Sequence, residues 1–328
     1  MYILRCETRK AGETMETRFS NILCATDFSK HSRPVLDYAT ELALRFKAHL
    51  IVFHSVCLPG SPIYGTARSR QADAEEGPIH RACDQIRNLM KDYPISWEPL
   101  VRYGEPVEEI LKVGDQRSFE LVVAASYRLS GWKRILVGTV VEQLARNIDR
   151  PLLVVNSRRT AAGKFRQNRL HLKNIMVGCD LSEQSHRVFQ FAHQFARAFD
   201  AKLHFVHAIE APMNTAIVEP TAAPYGEVQR RLQNELHRRL IQIIPEEERR
   251  RPDYTTAVLP GGADDVLSEY AKRNRIDLIV AGVRPHGPIE KLLIGSTTET
   301  MLRSAPCEVL TVPLTKIPRK PSMQKRSA

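Results

Sequence analysis

The sequence predicts an α/β protein made of two tandem copies of one domain, each a five-stranded parallel sheet flanked by helices. Three observations carry that prediction. The first is an internal repeat: Asn21 to Cys57 (NILCATDFSKHSRPVLDYATELALRFKAHLIVFHSVC) returns 153 residues later as Asn174 to Glu210, with 12 identities in 37 positions. The match resumes at a shift of 157, Phe119 to Ala125 (FELVVAA) against Ile276 to Gly282 (IDLIVAG), and continues as Val137 to Val155 against Ile294 to Val312. The middle of the second copy therefore holds four extra residues. A period of about 155 residues is domain-sized, far above the roughly 20 to 50 of solenoids and propellers. The second observation is a regular alternation of strand-like and helix-like periods within each copy. The third is the continuous apolar run from Glu120 to Ala125, as expected of a parallel strand covered on both faces.

Taken in order, Ile22 to Ala25 is a short strand followed by the turn TDFS. From Ser32 the apolar residues Val35, Leu36, Ala39, Leu42, Ala43 and Phe46 fall three and four apart, one face of a helix. Leu50 to Val56 is the second strand, and a long irregular stretch leads to a polar helix around Ala74 to Lys91. A third strand is expected near Ile95 to Val101. Gly104-Glu-Pro then opens a helix with Pro106 in its first turn, where a missing N–H costs little. After the fourth strand come a loop, a helix from about Thr139 and a last strand, Leu152 to Val155. Right-handed crossovers place helices on both faces, and ligands of such sheets bind at the carboxyl ends of the strands where strand order reverses.

The 328 residues divide into an N-terminal arm (1–18), a first domain (19–157), a basic linker (158–172), a second domain (173–315) and a basic tail (316–328). Met15 lies just ahead of the first domain, so either translation starts there or the chain carries a short arm. With 43% hydrophobic and 26% charged residues, the profile is that of a soluble globular protein. No apolar run approaches the about 18 to 20 residues of a membrane span, and MYILRCETRK has the wrong order for a secretory signal, so the cytoplasm is expected. The net charge of +11 is concentrated partly in the linker and tail, where few aromatics interleave. A solvated linker explains it, and nucleic acid is not expected as a partner. The six cysteines form no CxxC pair, and Cys24 and Cys179 read as small core residues with inert thiols.

Asp27 and Asp180 hold equivalent places after the first strand of each copy. A carboxylate there can touch a nucleoside; it can equally brace a turn or cap a helix with help from Ser29 or Ser182. The loop after the fourth strand ends in Gly138-Thr139 in the first copy and Gly295-Ser296 in the second, each at a predicted helix start. Free amides, the helix dipole and a hydroxyl make an anion site there; an ordinary N-cap uses the same residues. His54 and His207 coincide between copies but lie in apolar strands, so they read as satisfied strand-end histidines, and His204 and His207 should face opposite ways. Asp264 and Asp265, after Gly261-Gly262, should cap the third helix of copy two, a position the helix dipole favours. There is no GxxxxGK[ST], GxSxG or HExxH, and no metal ligand set.

The TDFS turn, the domain length, the strand-helix order and the Gly-Ser loop resemble the universal stress protein family. The resemblance implies tandem Rossmann-like domains of the adenine nucleotide alpha hydrolase-like kind. Nucleotide-binding members carry G-x2-G-x9-G-[ST], whose glycines and hydroxyl hold ribose and phosphates of ATP. On the second copy the resemblance places Gly282, Gly295, Ser296 and the adjoining Thr297 at the phosphates, with Asp180 and Ala208 against adenosine. Position 285 is Pro where the pattern has Gly, and Pro has no N–H to donate. On the first copy only Gly138 and Thr139 fit, beside Asp27 and Ser55; Ala125 and Arg128 replace two glycines. The Arg128 side chain could fill the pocket or bind phosphate from within it.

The expected function is regulatory, a stress-response protein binding ATP, with or without Mg2+, chiefly in the second domain, and displaying a surface to an unidentified protein partner. No efficient turnover is expected, at most slow ATP hydrolysis. The two domains should pair within the chain through Leu152 to Val155 and Val309 to Val312, with a homodimer as a further possibility. The main rival is an interaction scaffold that has lost nucleotide binding. A nucleotidylyl transferase would need an HxGH-type loop where the chain has TDFS and CDLS.

Overall fold

The computed structural model describes residues 19–29, 32–57, 71–126, 139–156, 170–182, 185–209, 225–249, 253–285, 292–293 and 295–314. The first copy runs β1 (Asn21–Ala25), α1 (Ser32–Phe46), β2 (His49–Val56), α2 (Gln71–Met90), β3 (Trp97–Tyr103), α3 (Pro106–Gln116), β4 (Leu121–Ser126), α4 (Thr139–Asn147) and β5 (Leu152–Asn156). The second repeats it as β6 (Asn174–Gly178), α5 (Ser185–Phe199), β7 (Lys202–Ile209), α6 (Tyr225–Ile243), α7 (Glu246–Arg249), β8 (Tyr254–Pro260), α8 (Ala263–Arg273), β9 (Leu278–Pro285), β10 (Leu292–Leu293), α9 (Ser296–Ser304) and β11 (Glu308–Pro313). Helices α2 and α6 end 153 residues apart, while β3 and β8 begin 157 apart. The four extra residues of the second copy therefore fall between them, where the one-turn helix α7 stands.

Strand order is β3-β2-β1-β4-β5 in the first copy and β8-β7-β6-β9-β11 in the second, with parallel pairing throughout each. Strand order reverses at β1/β4 and β6/β9, which opens a crevice at their carboxyl ends. The last strands of the two copies lie side by side and antiparallel, Val309 opposite Val154 and Leu310 opposite Leu153. One sheet thus runs through both domains, and neither last strand is left as an open edge.

Two apolar layers cover this sheet. One takes Val35 and Leu42 of α1, Ile86 of α2, Phe195 of α5 and Leu240 of α6; the other takes Ile110 of α3, Leu144 of α4, Leu267 of α8 and Met301 of α9. Each layer crosses the domain boundary. Phe19 packs 4.8 Å from Phe46 in its own domain and 5.5 Å from Phe195 in the other, centroid to centroid. On the opposite face α4 and α9 meet through a ring of charges. Arg146 reaches Glu142 at 3.1 Å and Glu299 at 3.3 Å; Arg303 reaches Glu299 at 2.8 Å and Glu142 at 3.3 Å. Glu142 and Arg146 are the repeat counterparts of Glu299 and Arg303, so the ring has the local two-fold symmetry of the pair.

The fourth strand of the second copy departs from the sequence expectation. Gly282 does not begin a loop: β9 continues through it to Pro285, pairing with Val312 on one side and returning as a hairpin with Leu292 and Leu293. Gly and Pro within GVRP signal a break locally, but pairing to β11 and β10 supplies the backbone partners that carry the strand on. Glu105 precedes α3 with Pro106 at its start, as the sequence implied. Asp264 and Asp265 lie in the first turn of α8, yet no side chain caps that helix; Gly262 is its N-cap.

Candidate functional site

The turn after the first strand has the same construction in both copies. Asp27 Oδ1 accepts from the Ser29 amide at 3.0 Å and from the Ser32 hydroxyl. Asp180 Oδ1 accepts from the Ser182 amide at 3.0 Å and the Ser185 hydroxyl at 3.0 Å. The hydroxyl that braces each aspartate is therefore that of the first helical residue, not of Ser29 or Ser182. Phe28 and Leu181 follow in the left-handed region, at φ 60° and 58°, a conformation uncommon for such side chains. The histidines of the second strands complete the arrangement: His54 Nδ1 donates to Thr26 O and His207 Nδ1 to Cys179 O, each at 2.8 Å. His204 turns away, bonded to Tyr270 Oη at 3.0 Å and Asn174 Oδ1 at 3.3 Å. Burial, with the charge of Lys202 adding to it, holds its pKa down to about 4.

In the second copy a cavity of about 780 Å³ opens at the carboxyl ends of β6, β7 and β9. That is within the usual size of small-molecule pockets. It brings together Asp180, Ala208, Gly282, Gly295 and Thr297 of the expected residues, and adds Ser185, His207 and Thr298. Ser296 starts α9 with its side chain exposed and is not part of the lining. Thr298 Oγ1 instead faces inward and donates to Gly282 O at 3.3 Å. Which hydroxyl of the Ser-Thr-Thr run faces inward depends on the phase of α9, which the sequence did not resolve.

The two glycines of this site have different reasons. A Cβ on Gly282 would stand 3.0 Å from Leu314 Cδ1 and 3.1 Å from Val188 Cγ2, so a side chain there would have to push these neighbours aside. Gly295 has an ordinary φ of −58° and a Cβ built on it meets nothing within 4 Å. It is the N-cap of α9, whose first-turn amides have no acceptor within the helix and stand at its positive end. Ala263 at the start of α8 and Ser185 at the start of α5 also border the cavity. Three helix N-termini thus meet on one cavity, a field suited to an anion.

In the first copy Arg128 and Gly138 lie outside the described residues, and Thr139 is placed as the first residue of α4. Ser55, the counterpart of Ala208, donates its hydroxyl to Gly104 O. Cys24 is fully buried, its pKa pushed up to about 12; Cys179 is buried at the cavity wall, and burial raises its thiol too. Among the described residues no cluster of three or more His, Cys, Asp or Glu could hold a metal, and no helix is long and apolar enough to cross a membrane.

Sequence comparison agrees with the duplication. The pattern of the universal stress protein family matches residues 18–156 and again 171–313. The chain belongs to the universal stress protein family. Universal stress protein A homolog 1 of Coxiella burnetii is 29% identical over 143 residues, 44% of this chain and 97% of that protein. A universal stress protein of Methanocaldococcus jannaschii is 26% identical over 148 residues, 45% of this chain and 84% of its own. A universal stress protein structure from Archaeoglobus fulgidus superposes with a TM-score of 0.64 at 18% identity, covering 91% of this chain and all of that one. At that identity the likeness shows the fold.

Proposed function

We propose that this universal stress protein is a regulatory, stress-response protein of the cytoplasm whose second domain binds an adenine nucleotide, ATP. The observation that carries the reading is the cavity at the β6/β9 crossover, into which the N-terminus of α9 opens beside Gly295. Phosphates would sit against the α9 amides and Thr297, with Gly295 keeping the approach free of a side chain. The nucleoside would lie toward Asp180 and Ala208. Binding would alter the surface shown to a protein partner, with at most slow hydrolysis. Mg2+ would enter with the phosphates rather than at a preformed set of carboxylates.

A second reading, a scaffold without nucleotide, is favoured by Pro285, whose position in the β9 hairpin offers no amide to a phosphate. Calorimetric titration of the full chain with ATP and Mg2+, beside Gly295→Val, separates the two. Expected is binding of about one equivalent, weakened at least a hundredfold in the variant, because a branched side chain would stand over the α9 amides. An unmodified protein that binds no ATP at millimolar concentration would leave the scaffold reading.

A further inference from the structure

The histidine near the end of β7 is held so that only one edge of its ring is available. Nδ1 lies 2.8 Å from Cys179 O. A carbonyl oxygen only accepts, so Nδ1 carries the proton, and the neutral ring keeps its lone pair at Nε2. Among the described residues no hydrogen-bond partner reaches that second nitrogen. The ring is half-buried and borders the cavity.

Two hydroxyls of the lining are already engaged. The Ser185 hydroxyl serves Asp180, and that of Thr298 serves Gly282 O. Thr297 stands at the α9 end. In the first copy Phe28 covers a face of the corresponding ring, His54, with centroids 4.2 Å apart and planes at 37°. The second copy has Leu181 in place of Phe28, and among the described residues no aromatic ring stacks on His207. The covered ring belongs to the copy whose motif has lost two glycines, and the open ring lines the 780 Å³ cavity.

We propose that His207 Nε2 is the acceptor with which the second domain reads a hydrogen-bond donor on the nucleoside, either a ribose hydroxyl or the exocyclic amine of the base. The inference rests on the nucleotide reading above. The bond to Cys179 O fixes both tautomer and ring orientation before the ligand arrives. A site that presents a fixed acceptor discriminates against analogues lacking the matching donor, because the acceptor is then buried without a partner.

The test is calorimetric titration of the full chain with ATP, 2′-deoxy-ATP, 3′-deoxy-ATP and N6,N6-dimethyl-ATP. Unmodified protein should weaken about tenfold for the one analogue that lacks the donor, and which one it is separates ribose from base. In His207→Asn the side-chain amide can still donate to Cys179 O but offers nothing where Nε2 stood. That variant should bind ATP about tenfold more weakly and treat the discriminated analogue like ATP. Equal affinity of the unmodified protein for all four compounds overturns the proposal without reliance on any variant. So does a His207→Asn protein that binds ATP undiminished and still discriminates. Failure to bind any of the four would remove the nucleotide reading itself, an outcome distinct from binding without discrimination.

Discussion

The two domains share the braced aspartate, the serine at the head of the next helix and the histidine that locks the turn from the neighbouring strand. They differ around that common frame. Ser55 against Ala208, Phe28 against Leu181 and Ala125 against Gly282 are substitutions near the carboxyl ends of the strands or in the turn beside them. Each domain thus keeps the parts that shape the crevice and varies the parts that fill it. What differs is the contents of the site rather than its architecture, which is why the Gly295→Val and His207→Asn experiments address the second domain alone.

The largest further contrast is acid stability. His204, opposite Ile51 in the repeat, titrates near 6.5 when unfolded but only near 4 when buried beside Tyr270 and Asn174. The unfolded chain therefore binds a proton that the folded one refuses. The neutral side chain's contribution is complete above about pH 6.5 and is lost as pH falls toward 4, by roughly 2 kcal/mol. Urea unfolding at pH 7 and 4.5 should show that loss, and His204→Gln should flatten it. A slope that the variant leaves unchanged would locate acid sensitivity elsewhere.

Gly282 offers a contrast of packing. Gly282→Ala should cost about 1 to 3 kcal/mol, because its Cβ must displace Leu314 or Val188. The reverse change in the first domain, Ala125→Gly, should cost only about 0.5 to 1 kcal/mol through chain entropy. Denaturant midpoints measured without nucleotide decide this. Equal losses would mean that β9 relaxes around the added methyl.

The smallest effect tests the symmetry directly. Glu142→Gln and Glu299→Gln each weaken two arms of the α4–α9 charge ring, whose side chains are 32 to 44% exposed. Each should cost about 0.5 kcal/mol, and less in high salt. The two losses should match; a gap above about 1 kcal/mol would show that one glutamate does most of the bridging.

Much of this fold is legible in the chain because the repeat lets each assignment be checked twice. The three-and-four spacing after Ser32, the apolar run after Glu120 and Pro106 in a first turn each report a local preference that the tertiary structure also uses. The shift from 153 to 157 marks where the short helix α7 enters. What escaped depends on distant partners. Gly282 and Pro285 look like a loop until β11 and β10 hydrogen-bond to them. Ser296 looks like the cavity hydroxyl until the phase of α9 turns Thr297 and Thr298 inward instead. His207 was visible only as one of two coincident histidines; its free edge emerges when Cys179 O claims the other nitrogen.

The antiparallel seam between β5 and β11 joins two halves that are tied by a covalent chain. Its formation is a unimolecular event, governed by the effective concentration of a tethered partner, so dilution does not dissolve it. Two identical subunits meeting across the same seam would have to carry two identical crevices, since any change in one would appear in both. Tethering removes that obligation. One half can specialise for a small molecule while its neighbour, relieved of that task, serves as the permanent mate that keeps the shared sheet closed.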